Sequence, residues 1–347
     1  MSREDRDLDL PAISYVWRTP VKKPKRAKWE IPDPVEPGKL TPAMRARLER
    51  IVAKAPEVMV KITGRTMTVA HLKSHLGYIT REGELGAETE TGAVMEGRQG
   101  LRDIQSRWAD DAALDGRRRR DGPLSHNVVF SMPPGTAPTA VRDAVRAFAV
   151  ETFGGRHDFL FVQHLDDAHP HVHLTVRSLG YDGQRLNPRK GDLATWREQF
   201  AAELRLRGVD AEATPRRARG KVRKSERGVI RAIKQRGEQP RMERLVREEV
   251  VRQARGVETL ATPQEVKAIE RQAVIRDGYR RQAEELKRSL SGADHELATQ
   301  LEQFVADMPA PETRRGRLAK ELRRGLEKAQ LQPGAEQRER ERPERTR

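Results

Sequence analysis

The middle of the chain, residues 57–220, predicts an α+β domain with a central, mostly antiparallel sheet and flanking helices. Two observations carry that reading. Apolar residues alternate in several short runs, as strands half-buried in a sheet require, and recur at helical spacing in others. The order of these runs, β-α-(insert)-β-α-β-β-α with a hairpin inside it, is the pattern of helices laid on a sheet rather than of strict β-α-β winding. A third observation sets the limits. The 347 residues are 36% hydrophobic and 35% charged, against typical values of about 45–50% and about 25%. One core spread evenly over the whole chain is therefore not expected.

The elements follow in order. Val58, Val60 and Ile62 alternate as a first strand, and Val69, Leu72 and Leu76 then mark a helix. A strand is expected over 127–130. A helix over 139–153 puts Val141, Val145, Phe148 and Ala149 on one stripe. Strands over 159–163 and 172–176 form the hairpin. A helix after Asp192 aligns Leu193, Trp196, Phe200 and Leu204. Trp108 and Trp196 both fall at helical spacing with other apolar residues and read as core.

The flanks differ in kind. Residues 1–56 read as an N-terminal linker or arm, largely extended and broken by prolines at 20, 24, 32, 34 and 37. One short helix is expected over 41–52, with Thr41 as its cap and Pro42 at its first position. Residues 221–331 read as charged helices, with breaks near 237–240, 262–263, 291–292 and 309–311, and 332–347 as a disordered tail. From 215 to the end there are 34 Lys+Arg against 22 Asp+Glu, an excess of 12 out of a net charge of +16. That balance favours a polyanionic partner, nucleic acid first.

Several function classes drop out on composition. With no cysteine there are no disulfides, thiolate metal sites or Cys nucleophiles, so a metal would fall to His, Asp or Glu. No run approaches the roughly 18 apolar residues of a membrane span, and the N-terminus lacks an apolar secretion core. A soluble, cytoplasmic protein with no membrane insertion is expected.

Four of the nine histidines lie within ten residues: His164, His169, His171 and His173. His171 and His173 are two apart on an expected strand and face the same way, leaving Val172, Leu174 and Val176 for the core. His164 ends the preceding strand, so the hairpin brings it beside them. Three imidazoles converging from two strands make an open metal site. His169 precedes Pro170 in the loop and reads as a non-ligand. Asp166 is placed to orient a ligand's second nitrogen, to act as a base, or simply to shape the turn.

Tyr78 follows an apparent helix and stands between Gly77 and Arg81, accessible rather than core. A free phenol titrates near about 10 and is a poor nucleophile at neutral pH. A His-bound divalent cation that neutralises a phosphate changes this, because charge growing on the phosphate is then offset. The product, a phosphotyrosine ester, keeps the phosphodiester bond energy, so the break can be resealed.

Three stretches carry a resemblance: Val69-Ala-His-Leu-Lys-Ser-His-Leu-Gly-Tyr-Ile-Thr-Arg-Glu-Gly83, the run from His164 through Asp166 and Pro170 to His171 and His173, and Arg185-Leu-Asn-Pro-Arg-Lys190. On them, the chain resembles plasmid mobilisation relaxases of the HUH endonuclease superfamily, MOBP type, the group that includes the Ti-plasmid border endonuclease. The resemblance implies a palm related to RNA-recognition folds. It implies Tyr78 as nucleophile and His164, His171 and His173 as ligands of a divalent ion, Mg²⁺ or Mn²⁺. Three imidazoles suit Mn²⁺ or another transition metal better than Mg²⁺.

The activity implied is nicking of one strand at a plasmid origin of transfer, with a covalent 5′-phosphotyrosine link and a free 3′ hydroxyl. Such a nick initiates mobilisation or conjugative transfer. The implied partners are single-stranded and supercoiled plasmid DNA, relaxosome accessory proteins, a type IV coupling protein and a secretion channel, through which the protein itself is exported. Rolling-circle replication or transposition nucleases of the same superfamily, and a non-catalytic DNA-binding scaffold, are the alternatives. Arg81, Arg185, Arg189, Lys190, Arg216, Arg217 and Arg219 are the candidate DNA contacts, and 117–120 a candidate basic loop.

Overall fold

The computed structural model describes residues 40–116, 122–220, 228–254, 263–310 and 314–331. The expected arm before residue 40, the basic loop over 117–120, Lys221, Arg223 and Lys224, and the tail from 332 lie outside the described residues. What is described divides into two compact units, 40–215 and 216–331.

The first unit begins with α1 (Pro42–Val52), capped as its sequence suggests: the Met44 amide donates to the Thr41 hydroxyl, and Pro42 opens the helix. Met44, Leu48 and Ile51 are buried. Arg47 reaches Glu198 at 2.8 Å and Arg50 reaches Glu212 at 2.9 Å. This helix is thus part of the domain's fabric.

The sheet has six strands: β1 (Met59–Thr66), β2 (Ala87–Thr89), β3 (Val94–Met95), β4 (Ser125–Ser131), β5 (Phe159–His164) and β6 (His171–Arg177). Their order is β1-β4-β6-β5-β2-β3, and every pairing is antiparallel. The α+β class read from the sequence is the one observed. The insert between helix α2 (Val69–Thr80) and β4 contributes β2, β3 and a long helix, α3 (Gly97–Leu114).

Alternation sorts the strand residues onto two faces. Val128 and Phe130, Phe159 and Phe161, and Val172, Leu174 and Val176 point to one face. There they pack against α4 (Pro138–Phe153) and α5 (Lys190–Arg205), through Val141, Val145, Phe148, Phe153, Trp196, Phe200 and Leu204. Leu160 and Val162 point to the other face and meet α2 (Val69–Thr80) and α3 through Leu72, Leu76, Ile79, Leu101, Ile104 and Trp108. Both tryptophans are core. The same parity puts His164, His171 and His173 on the α2 side.

The second unit is helical: α6 (Gly228–Gln235), α7 (Arg241–Ala254), α8 (Pro263–Lys287), α9 (Gly292–Ala306) and α10 (Arg314–Leu331). The breaks expected near 237–240 and 291–292 fall at helix ends, while those near 262–263 and 309–311 lie partly outside the described residues. In the α8–α9 hairpin, Tyr279 packs on Phe304 with ring centroids 5.4 Å apart. The short turn Arg216–Arg219 belongs to this unit: the Tyr279 hydroxyl donates to the Ala218 carbonyl at 2.6 Å, and Gln272 donates to the Arg217 carbonyl at 3.1 Å.

Candidate active site

The site is built where α2 ends over the β5–β6 hairpin. Helix α2 is capped at its start by Thr68, whose hydroxyl accepts from the His71 amide at 3.1 Å. It stops abruptly. Arg81 and Glu82 take left-handed conformations, φ 51° and 55°, and Gly83 follows at φ 93°. At Gly83 a β-carbon would lie 2.6 Å from the Gly97 backbone, so only glycine fits. The Gly83 amide donates to the Thr80 hydroxyl, which itself donates to the Leu76 carbonyl. This tight end leaves Tyr78 on the outer side of the last turn, 69% exposed.

Below it stand the three histidines. Register in the hairpin sets His164 opposite His171 and Val162 opposite His173. The ring centroids are 4.5 Å apart for His164–His173, 5.2 Å for His164–His171 and 5.3 Å for His171–His173. One nitrogen from each lies within 4.8 Å of the other two.

Two of the tautomers follow from backbone partners. His164 Nε2 is 2.7 Å from the Ile79 carbonyl, which can only accept, so Nε2 is the donor and Nδ1 is the nitrogen left for another partner. His171 Nδ1 donates in the same way to the His169 carbonyl at 3.0 Å, which frees Nε2. Such outer hydrogen bonds are how metal-ligating imidazoles are normally oriented. Burial, followed by the neighbouring charges of His164, His171 and His75, lowers His173 to about 4, so at neutral pH this ring presents a lone pair. Donor type and number therefore fit a divalent cation.

The Tyr78 ring meets the His173 ring edge-on, with centroids 6.3 Å apart and planes at 87°. Asp166 lies 3.9 Å from His164 Nδ1 and pairs with Arg81. Its own backbone N–H, then the Arg81 guanidinium, holds its carboxyl below the ordinary range, so it is ionised at neutral pH. His169 stands apart from the triad, its ring 3.5 Å from Asp167.

Residues 78–206 match the family described as "Relaxase: MobA/VirD2-like, nuclease domain". This segment is similar to the nuclease domain of the MobA/VirD2-like relaxases. Among similar proteins is the T-DNA border endonuclease VirD2 of Rhizobium radiobacter, 29% identical over 184 residues, which cover 47% of this chain and 43% of that one. The VirD2 proteins of Agrobacterium fabrum strain C58 and Rhizobium rhizogenes are 27% and 26% identical. The matched region is less than half the length of these relatives. A solved structure described as "Molecular Basis of Vancomycin Resistance Transfer in Staphylococcus aureus" aligns over 46% of this chain and 99% of its own, at 12% identity and a TM-score of 0.32.

The candidate DNA contacts of the first unit are scattered. Arg81 is at the site, engaged with Asp166. Arg189 and Lys190 are exposed at the start of α5. Arg185 is turned inward, paired with Asp115 and donating to the Pro123 carbonyl at 2.6 Å. In the helical unit, Arg216 is exposed and Arg217 half-buried, while Arg219 is 6% exposed. Arg219 therefore offers no surface to a phosphate in this structure, contrary to its sequence reading.

His75 was not singled out by sequence reasoning, yet it belongs to the site. Its Nε2 lies 3.0 Å from the Thr175 hydroxyl, two residues along β6 from His173. Burial, and then repulsion from His71, lowers it to about 4. The available signal was the spacing of His71, His75 and Tyr78, which puts all three on one stripe of a helix.

Proposed function

We propose that the protein is a DNA-nicking relaxase that uses Tyr78 as its nucleophile. The observation that supports this most is an exposed tyrosine, held at a tight helix end, whose ring meets one member of a three-histidine cluster. In the proposed reaction, Tyr78 Oη bonds to the phosphorus of a DNA phosphodiester and the bond to the 3′ oxygen breaks. The phenolic proton is lost, and the departing 3′ oxygen gains one. The protein retains the 5′ end as a phosphotyrosine ester, and reversal reseals the strand.

His164, His171 and His173 would hold the divalent ion, Mg²⁺ or Mn²⁺. When bound, it supplies positive charge against the scissile phosphate. The remaining steps belong to the chain. Backbone carbonyls at Ile79 and His169 orient the two imidazoles and set which nitrogen donates. Asp166, ionised and tied to Arg81, acts as an electrostatic partner of His164 rather than as a proton donor. Arg189 and Lys190 are the proposed phosphate contacts on the nuclease unit, with Arg216 and Arg217 on the basic helical unit. Arg81 lies nearest the reacting strand.

The substrate proposed is a plasmid origin of transfer, acted on with relaxosome accessory proteins, a coupling protein and a secretion channel. No helix among the described residues is long and apolar enough to cross a membrane.

The test uses labelled single-stranded oligonucleotides tiling the DNA that flanks the gene, incubated with Mn²⁺ or Mg²⁺. An SDS-resistant protein–DNA adduct is expected, and Tyr78→Phe should abolish it. An adduct that survives in Tyr78→Phe, or no adduct with any oligonucleotide and either metal, overturns the proposal.

A further inference from the structure

We propose that His75 is a positioning residue for the tyrosine: through Thr175 it fixes where the end of α2 lies along β6, and so where Tyr78 stands over the histidine triad. The inference rests on the nuclease reading of Tyr78 for its functional meaning, but its geometry stands independently.

Helix α2 and strand β6 run side by side in opposite directions. Tyr78 meets His173, and three residues earlier His75 meets Thr175, two residues later on the strand. One turn earlier still, Leu72 and Arg177 line a common small cavity. Three helical residues advance about 4.5 Å, and two strand residues about 6.6 Å. The two ladders therefore slip by about 2 Å per step, and apolar packing of Leu72 and Leu76 alone leaves the sliding position weakly specified. A directional hydrogen bond is the kind of contact that specifies it.

His75 is suited to that task. It lies on the same helical stripe as Tyr78 but leans toward the sheet, half-buried where Tyr78 is exposed. Held neutral by burial, it brings no charge under the nucleophile. A threonine hydroxyl can donate or accept, so it satisfies either imidazole tautomer. On the far side of Tyr78 the helix end is tied again, by Ile79 to His164 and by Arg81 to Asp166. The tyrosine is thus bracketed, and His75 is the inner bracket.

The test reads position without relying on catalysis. The full chain is labelled with 3-fluorotyrosine, its four tyrosine ¹⁹F signals are resolved, and Tyr78 is assigned from Tyr78→Phe. Adding Mn²⁺ should broaden the Tyr78 signal steeply, because paramagnetic relaxation falls off sharply with distance. In His75→Ala and Thr175→Val, that broadening should drop several-fold while the Tyr181 and Tyr279 signals, which report an intact fold, stay unchanged. His75→Gln, which keeps a nitrogen near the Nε2 position, should restore it.

With oligonucleotide, the adduct-forming rate should fall about 100-fold in His75→Ala, as expected for an ångström-scale displacement. It should recover in His75→Gln, with half-saturating DNA concentration unchanged throughout. Equal broadening in wild type and His75→Ala overturns the proposal, and so does absence of broadening in wild type. If the broadening pattern holds but no adduct forms with any DNA, positioning stands and the nuclease reading fails.

Discussion

The two faces of the central sheet are built from the same strands and have opposite characters. Against α4 and α5 the strands turn Phe130, Phe159, Phe161, Val172, Leu174 and Val176, and Phe130 packs on Phe148 and Phe200 at 4.8 and 5.1 Å. That face is sealed. Against α2 and α3 the same strands turn Asn127, Ser131, His171, His173 and Thr175, with an apolar patch around Leu160 and Val162. That face is closed at one end by Trp108 and left open at the other, beside Tyr78. Alternation lets one strand serve both purposes: its odd and even residues do not compete, so stability and chemistry can be varied separately.

Substitutions on each face should therefore separate the two properties. The largest effect is expected on the sealed face. Phe130→Ala should cost about 3–5 kcal/mol of stability, measured by denaturant unfolding, while Mn²⁺ affinity of the folded fraction stays near wild type. On the open face, His173→Ala should do the converse. It should weaken Mn²⁺ binding about 100-fold or more, since even outer partners of metal ligands are worth about 10–100-fold, with little change in unfolding midpoint. If Phe130→Ala and His173→Ala both lost stability and metal affinity together, the separation of faces would be wrong.

Acid should reveal a different component. His75 and His126 are both lowered to about 4, chiefly by burial, from an ordinary value of 6.5. The folded state favours the neutral form, so between those values the unfolded chain binds more protons. Their contribution is complete above pH 6.5 and is lost as pH falls toward 4. Thermal midpoints in metal-free buffer should fall over that window, and His126→Gln should flatten the fall. A flat profile from pH 7 to 5 would contradict the burial of these rings. The smallest effect is expected from Arg189→Ala and Lys190→Ala. Each should weaken DNA binding several-fold and lower the salt slope by about 1, with unfolding unchanged.

Much of this was legible in the sequence because alternation is a local signal. The spacing of His171 and His173 with Val172, Leu174 and Val176 already assigns the histidines to one face and the core to the other. The cap of α1 and the breaks between the C-terminal helices were legible for the same reason. Strands β2 and β3 were not: three and two residues are too few to show a period. Helix α3 did carry a stripe, Leu101, Ile104 and Trp108, within what reads as an insert.

Long-range pairing was the harder part. His75 gains its role from Thr175, 100 residues later. Arg185 resembles a free cation until Asp115, 70 residues earlier, is seen to engage it. Arg219 resembles one until its burial, 6% exposed, is seen. A residue's type shows what it can bind, but not whether the fold has already supplied a partner.

The central claim is that Tyr78, and no other tyrosine, takes the DNA strand. The direct measurement is mass spectrometry of the protein–DNA adduct after nuclease and protease digestion. The account predicts a nucleotide 5′-phosphate on the peptide containing Tyr78 and on no other. The same modification on Tyr181 or Tyr279, or on a serine or histidine, would contradict it.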